Sequence, residues 1–228
     1  LITYPNYYIE MTNTGIKMKP YISKLHGPCN RYHINRIHDT LSKSLSAHPR
    51  TYVRRIDLRI PDVCYEQYRT DSTLVTRFME SLKSQIKQTQ KRKRMQGKRV
   101  HPCNVRYVWS REFGDEKGKK HFHIALMLNN DVYCSTGTYC PVGEVYIHNL
   151  ALMIMEAWVR TLNLHTRPDY QQYYTQVHFV PEGSIMLDIN SRTFELNYSQ
   201  IFQHLEYMAK LHTKDRTDGQ RNFGCSQS

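Results

Sequence analysis

The sequence predicts an α+β fold, with one central antiparallel sheet, helices packed on one of its faces and an open polar face on the other. The predicted elements run strand, helix, hairpin, helix, hairpin, helix, an order typical of helices packed against an antiparallel sheet. Segment 119–128 also alternates in character, so that His121 and His123 face away from the apolar Phe122 and Ile124. These two observations place a strand with one core face and one polar face at the centre of the fold.

The chain before this strand supplies three predicted units. Residues 1–50, which include an amphipathic helix over 32–45, are interpreted as an N-terminal extension packed on the core. A strand over 52–60 comes next, and its alternation gives it one apolar and one charged face. A helix over 71–96 follows, with leucine, phenylalanine and isoleucine side chains along one stripe.

A predicted hairpin joins the strand over 104–113 to the central strand. Residues 114–118 are Gly-Asp-Glu-Lys-Gly, a composition typical of a tight turn between antiparallel strands. If this loop closes symmetrically, Glu112 lies opposite His121, and cross-strand partners share a face of the sheet. The polar face therefore gathers Glu112 together with His121 and His123.

The remaining elements are a helix over 148–162, a second hairpin and a last helix over 196–212. The second hairpin is predicted from 174–180 and 184–189, with its turn at Pro-Glu-Gly. We divide the chain into the extension, a main domain over 51–214, and a small polar tail over 215–228.

The composition favours a polyanionic partner. In 228 residues, 32 Lys and Arg stand against 20 Asp and Glu, for a net charge of +12. Such an excess promotes binding to nucleic acid through phosphate neutralisation and counterion release. The six cysteines show no metal-binding or disulfide spacing, and neither a secretory signal nor a membrane-length apolar run is visible, so we expect a cytoplasmic protein.

Two imidazoles and a carboxylate on one strand face are a candidate metal site. We predict His121 and His123 as ligands, with Glu112 favoured as the third ligand and Asp57 as the alternative. An H-x-H pair alone has a high false-positive rate, and the hairpin geometry is what strengthens the prediction. The expected ligand of this site is a divalent metal ion.

The last predicted helix carries a candidate nucleophile. At helical spacing Tyr207, Lys210 and Lys214 fall on one face, opposite an apolar stripe. Free phenol ionises only near pH ~10, and neighbouring cations favour the phenolate that attacks phosphorus. A plainer interpretation of the same pattern is that these three side chains simply face solvent on the exposed side of a helix.

Several basic side chains are candidate contacts to a nucleic-acid backbone. A run without acidic residues closes the helix over 71–96, and it is equally well explained as a solvated helix face or as a grip on phosphates. The predicted DNA-binding residues are Arg55, Arg59, Lys91, Arg92, Lys93, Arg94, Arg106, Lys120 and Lys214.

Five sequence blocks carry a resemblance to a known family. They are R-I-D-L-R (55–59), W-S-R-E-F-G (109–114), K-H-F-H-I-A-L (120–126), Y-M-A-K-L-H-T-K (207–214) and R-N-F-G-C-S (221–226). An H-x-H strand followed by Y-x-x-K resembles the HUH endonuclease superfamily of rolling-circle replication initiators and relaxases. More narrowly, the blocks resemble the inovirus-type replication proteins, the YagK/YfjJ C-terminal family of phages and prophages. The resemblance covers residue 51 to the end.

This resemblance implies a ferredoxin-like, RRM-like palm and a metal-dependent, site-specific nickase acting on single-stranded DNA. It implies His121 and His123 as ligands of Mg²⁺ or Mn²⁺, Tyr207 as the nucleophile that forms a 5′-phosphotyrosine, and Lys210 as its assistant. The expected partners are an origin hairpin or nick site in single-stranded DNA and, because no G-x-x-x-x-G-K-[ST] motif is present, a helicase of the bacterial host.

Other functions fit parts of the same pattern. A non-catalytic nucleic-acid-binding module would use the basic run and leave the histidines as hydrogen-bonding groups. A metal-dependent nuclease could use water as its nucleophile and Tyr207 only for packing. Metal-dependent cleavage separates the first from the nickase, and a covalent DNA adduct separates the second.

Overall fold

The computed structural model describes residues 21–114, 118–211, 214 and 217–227. Residues 1–20 of the predicted extension, 115–117 of the predicted hairpin turn, and positions 212, 213, 215, 216 and 228 lie outside the described residues. None of the helices in the described part of the chain is long and apolar enough to cross a membrane.

A five-stranded antiparallel sheet forms the centre of the molecule, in the order β6-β3-β5-β4-β7. The strands are β1 (Tyr21–Ser23), β2 (Gly27–Cys29), β3 (Arg50–Arg59), β4 (Arg106–Phe113), β5 (Lys120–Asn129), β6 (Val177–Asp188) and β7 (Phe223–Cys225). Strands β1 and β2 pair separately from the large sheet. The predicted α+β class is confirmed, and β4 and β5 form the predicted antiparallel neighbours.

Helices and short 3₁₀ turns complete the described structure. The helices are α1 (Arg31–Ala47), α2 (Tyr65–Tyr68), α3 (Leu74–Met95), α4 (Leu150–Thr161) and α5 (Phe194–Glu206). The 3₁₀ turns are Asp62–Cys64, Tyr170–Gln176 and Tyr207–Ala209. Helix α4 begins where Asn149 accepts a hydrogen bond from the Leu152 backbone N–H at 2.9 Å, a side-chain N-cap.

The larger core lies between one face of the sheet and helices α3 and α4. Ile56, Ile124 and Leu126 point into it from the strands, and Phe78 and Trp158 reach it from the helices. All five side chains are fully buried, so water is excluded from the centre of this face. Trp158 also satisfies its indole N–H by donating to the Arg59 carbonyl oxygen at 2.7 Å.

The opposite face of the sheet is covered at one end, which corrects the prediction that helices occupy one face only. Helices α1 and α5 pack there against Val53, Val108, Ala125 and Met127. These apolar residues lie toward one end of strands β3, β4 and β5, and Asp57, Glu112, His121 and His123 lie toward the other. The polar face is therefore a half-covered surface, and its uncovered half carries the site described below.

The second predicted hairpin is wrong, because its two arms form one continuous strand, β6. Both arms pair with β3, with Arg54 opposite Ser184 and Ile56 opposite Phe179, so residues 180–183 bulge opposite Arg55 alone. The same residue types suit a turn or a bulge, since Glu182 adopts a positive φ of 56° beside a glycine. Local composition does not tell which strand the arms will pair with.

The last helix is shorter than the predicted 196–212. Helix α5 ends at Glu206, a 3₁₀ turn follows, and Lys210 leaves the helical conformation with ψ of 148°. The cause is pairing with the N-terminal region, because Lys210 bridges Cys29 and the Leu211 N–H donates to the Pro28 carbonyl oxygen at 3.1 Å.

The predicted polar tail over 215–228 contributes an edge strand, β7, which pairs with β4. Arg111, fully buried, secures this segment through Asp218 and Asn222, with Nη2 to Asp218 Oδ1 at 2.8 Å and Nη2 to Asn222 Oδ1 at 2.7 Å. Gly224 lies against Trp109, where a Cβ atom would fall 2.5 Å from Nε1. Glycine is therefore required for this strand to approach the sheet.

Candidate metal and tyrosine site

Three neighbouring strands bring the polar side chains of the uncovered face together. Glu112 on β4 lies directly opposite His121 on β5, the register that the symmetric hairpin predicts. His123 on β5 lies opposite Asp57 on β3. Because side chains alternate along a strand, these four residues share one face of the sheet.

Glu112, His121 and His123 form a compact set of candidate metal ligands. One ligand atom from each lies within 4.8 Å of the others. His121 Nε2 and His123 Nε2 are 3.2 Å apart, and His123 Nε2 is 3.4 Å from Glu112 Oε2. Glu112 and His123 are almost completely buried, whereas His121 is partly open to solvent.

Asp57 lies behind this set and contacts His123 from the other side of the ring. His123 Nδ1 donates to Asp57 Oδ1 at 2.6 Å, which leaves Nε2 directed toward Glu112 and His121. Such a carboxylate fixes the tautomer and orientation of a ligating imidazole. The geometry therefore favours Glu112 over Asp57 as the third ligand and gives Asp57 an orienting role.

Two of the three candidate ligands have the ionisation that a divalent cation needs. Burial alone would raise the pKa of Glu112, but the hydrogen bond and charge of His123 and the charges of two lysines hold it well below its ordinary value. Burial and the charge of His123 lower the pKa of His121, so its imidazole is neutral at pH 7, the form that binds metal. Burial lowers the pKa of His123, but its hydrogen bonds to Asp57 and Glu112 and their charges raise it overall, so this imidazole must give up a proton to bind a metal. Two imidazole nitrogens and one carboxylate oxygen fit Mn²⁺ better than Mg²⁺, which prefers oxygen.

Tyr207 lies directly beside this set, in the 3₁₀ turn that ends α5. Its half-buried ring meets the His123 ring edge to face, with 5.1 Å between the centroids. Two cations flank the ring, since Arg55 Cζ is 4.5 Å and Lys210 Nζ 3.5 Å from its centroid. The candidate nucleophile and the candidate ligands are therefore in direct contact.

Two buried lysines bind the Glu112 carboxylate. Lys210 Nζ is 3.0 Å from Oε2, and Lys214 Nζ is 3.2 Å from Oε1. Lys210 thus touches both the carboxylate and the Tyr207 ring, and links the metal-binding set to the tyrosine. Sequence reasoning missed this pairing, because lysines on a predicted exposed helix face gave no sign of a buried carboxylate partner.

The sequence of the chain matches one protein family over most of its length. The family model described as the YagK/YfjJ C-terminal domain matches residues 11–226 of the chain. The chain belongs to this family. It is 32% identical to the Uncharacterized protein YagK of Escherichia coli (strain K12) over 201 residues, covering 85% of this chain and 91% of that protein. It is 31% identical to the Uncharacterized protein YfjJ of the same strain over 201 residues, covering 85% of this chain and 92% of that protein. No solved structure matches the chain.

The family match extends further toward the N-terminus than the resemblance found by motif, which began at residue 51. Most of the segment interpreted as an extension is therefore part of the family's domain. The structure gives a physical reason, since α1 packs on the sheet and β2 pairs with Lys210 beside the candidate site.

The predicted DNA-binding residues of this family member separate into three groups. Arg55 and Lys214 are buried within the site, where they contact Tyr207 and Glu112. The second group, Arg59 and Arg106, lies on the polar face of the sheet. Arg59 is exposed opposite His121, and Arg106 lies at the far end of β4, opposite Met127. The third group, Lys91, Arg92, Lys93 and Arg94, is exposed at the end of α3, which packs on the other face of the sheet.

The position of the Lys120 side chain contradicts the prediction that it contacts DNA. Its side chain is 1% exposed and points to the core face, where Nζ donates to the Asp71 carbonyl oxygen at 3.0 Å. The reason is that side chains alternate along β5. Lys120 points to the same face as Phe122, whereas His121 points to the polar face.

Proposed function

We propose that this protein is a metal-dependent endonuclease of the HUH type, which nicks single-stranded DNA and transfers the strand. The observation that carries the proposal is the contact between Tyr207 and His123, with ring centroids 5.1 Å apart. A nucleophile and a cluster of candidate metal ligands that touch each other can act on one phosphate. We propose that the nick starts rolling-circle replication of a phage, prophage or plasmid-like element.

Each part of the site has a role in this reaction. Glu112, His121 and His123 would hold a divalent ion, which when bound polarises the phosphodiester and stabilises charge on its oxygens. Asp57 keeps the His123 ring oriented through the 2.6 Å hydrogen bond at Nδ1.

Tyr207 supplies the attacking oxygen. The Tyr207 phenol gives up its proton to water as its oxygen forms a bond to phosphorus, and the bond from phosphorus to the 3′ oxygen breaks. The 3′ oxygen takes up a proton and leaves as a hydroxyl, and the 5′ phosphate stays attached to Tyr207. Attack by that hydroxyl reverses the reaction and rejoins a strand, so one tyrosine supports both cleavage and transfer.

Arg55 and Lys210 would stabilise negative charge on the scissile phosphate beside Tyr207. Both cations lie against the Tyr207 ring, and both are largely buried, so their charges are weakly screened by water. Lys210 stays in place through its 3.0 Å contact with Glu112. We propose that any unwinding of duplex DNA comes from a partner helicase of the host.

The test is a denaturing gel of the protein incubated with a diverse pool of single-stranded oligonucleotides, with and without Mn²⁺. We expect a Mn²⁺-dependent shifted band that Tyr207→Phe abolishes. Tyr198→Phe is the matched control, because Tyr198 lies on α5, the helix that precedes the Tyr207 turn, and its hydroxyl contacts His38 at 2.8 Å, away from the candidate ligands.

Other outcomes would select another function. Cleavage without a covalent adduct would identify a nuclease that uses water. Salt-sensitive binding with neither adduct nor cleavage would identify a nucleic-acid-binding module. Sequencing the trapped DNA ends would define the recognition site.

A further inference from the structure

A groove with a cavity of about 490 Å³ lies between α5 and the bulge of β6. Its lining consists of Glu182, Ser184, Ile185, Gln200, Ile201, Gln203 and His204. The bulge shapes one wall, because Glu182 takes a left-handed conformation with φ of 56°. Gly183 holds the bulge against the sheet, where a Cβ atom would come within 3.2 Å of Arg55 Cβ.

The groove adjoins the tyrosine site. Gln203 and His204 precede Tyr207 by about one turn of helix, roughly 5.4 Å along the axis. The backbone carbonyl of His204 accepts a hydrogen bond from Arg55 Nη1 at 3.3 Å, and the same guanidinium lies against the Tyr207 ring. Arg55 therefore separates the groove from the candidate nucleophile and contacts both.

The lining of the groove differs in chemistry from the site beside it. None of its seven residues is a lysine or an arginine, and the Glu182 carboxylate would repel a phosphate. Ile185, which is partly exposed, offers apolar surface, while two glutamines supply amide donors and acceptors. A flat, neutral group with hydrogen-bonding edges fits this lining, and in a DNA strand that group is a base.

The polar side chains of the groove are available for such a contact. Among the described residues, the side chains of Glu182, Gln200 and Gln203 have no hydrogen-bond or ion-pair partner, and all three are exposed. Burial and the charge of Arg55 lower the pKa of His204, so its imidazole is neutral at pH 7 and offers one donor and one acceptor.

We propose that this groove binds a base of the substrate strand within one or two nucleotides of the scissile phosphate. The inference rests on the proposed nicking function. A carboxylate accepts a hydrogen bond from an exocyclic amino group, and glutamine pairs with the amino edge of adenine. The groove therefore selects adenine, cytosine or guanine over thymine, with Glu182 and Gln203 as the residues that determine specificity.

The test sequences the DNA ends trapped as covalent adducts by the full chain and by the variants Gln203→Ala and Glu182→Gln. We expect thymine to be depleted roughly five- to tenfold at one position flanking the nick, and each variant to weaken that depletion while adducts still form. Ser199→Ala is the matched control, because Ser199 is exposed on α5 outside the groove, and it should leave the pattern unchanged.

The outcomes distinguish this inference from the proposed function. Adducts with the same flanking bases in wild type and both variants would overturn the groove as a base site and leave the nickase standing. Loss of adducts with all four bases in a variant that unfolds like wild type would also overturn it, since removal of a specificity contact should flatten the preference. No adduct in wild type would overturn both proposals.

Discussion

Two concentrations of positive charge in this molecule differ in burial and in partners. Arg55, Lys210 and Lys214 are buried on the uncovered half of the sheet, and each contacts a named group of the candidate site. The run 91–94 at the end of α3 is fully exposed, and no acidic side chain of the described residues pairs with it. The first set fixes the position of groups in the candidate site, whereas the second faces solvent, where Arg92 contacts Thr89 and His148 but no group of that site.

The physical reason for the difference is the dielectric environment. A charge in water is screened within roughly 10 Å by 0.1 M salt, and an exposed ion pair contributes at most about 1 kcal/mol. A buried charge that loses its partner is left uncompensated, at a much larger cost. The effects of substitutions in the two regions should therefore differ in size and in the property that changes.

The largest expected effect on stability is at Glu112. Glu112→Ala removes the partner of Lys210 and Lys214, and we expect the free energy of unfolding to fall by about 3–5 kcal/mol. Lys93→Ala, in the exposed run, should change it by less than about 0.5 kcal/mol. Urea unfolding in the presence of a chelator measures both. Equal small losses would break the comparison.

At Arg55 the expected effect is on rate. Arg55→Gln removes the cation that lies 4.5 Å from the Tyr207 ring, and we expect adduct formation at saturating DNA to slow by roughly 100-fold. Arg59→Gln is the control on the same strand, because Arg59 is exposed at its end and should affect affinity rather than rate. A pre-steady-state time course separates the two. An unchanged rate for Arg55→Gln would remove Arg55 from the mechanism.

Neutralising the exposed run should change salt dependence. With Lys91, Arg92, Lys93 and Arg94 replaced by glutamine, we expect the slope of log affinity for single-stranded DNA against log salt to fall by about 0.7 for each lost phosphate contact. The adduct rate at saturating DNA should stay the same. Fluorescence anisotropy over a salt series gives the slope. A slope identical to that of wild type would make the run a solvated helix end.

A smaller effect on stability than that of Glu112→Ala is expected at an intermediate case, in which buried Arg111 pairs with the partly exposed Asp218. The hydrogen bond from Arg111 lowers the pKa of Asp218 to about 2. Because this folded pKa lies below the unfolded value of about 3.9, the stabilisation is complete above roughly pH 4 and is lost as the pH falls toward 2.

Asp218→Asn should remove that dependence. The difference in unfolding free energy between wild type and Asp218→Asn should be about 1 kcal/mol at pH 6, after allowance for the 29% exposure of the carboxylate, and should vanish near pH 2. Thermal unfolding across pH 2–6 measures it. A difference that is constant over this range would show that the contact is not ionic.

The parts of the fold that the sequence predicted are those set by short-range pattern. Alternation along 119–128 and the turn-forming composition of 114–118 predicted the pairing of β4 with β5 that the structure has, including Glu112 opposite His121. The bulge at 180–183 looked like a turn because both use the same residue types, and only pairing of both arms with β3 separates them. Strand β7 has no such pattern, since Gly224 is selected by contact with Trp109.

The end of α5 illustrates the same limit. The apolar stripe continues through Leu211, so periodicity alone extends the helix past Tyr207. The structure ends it early, because Lys210 pairs with Cys29, a residue 181 positions away along the chain. This break determines where the Tyr207 ring and the Lys210 ammonium lie.

The sequence by itself determined that His121 and His123 share one face, through their spacing of two residues, and it predicted Glu112 opposite His121 for a hairpin that closes symmetrically, the register that the structure has. Only the tertiary structure decided what surrounds them. Asp57, Arg55, Tyr207 and the two lysines come from segments more than 50 residues away or from the opposite end of the domain. Their convergence depends on the packing of α1 and α5 and on long-range strand pairing, which no local pattern of side chains encodes.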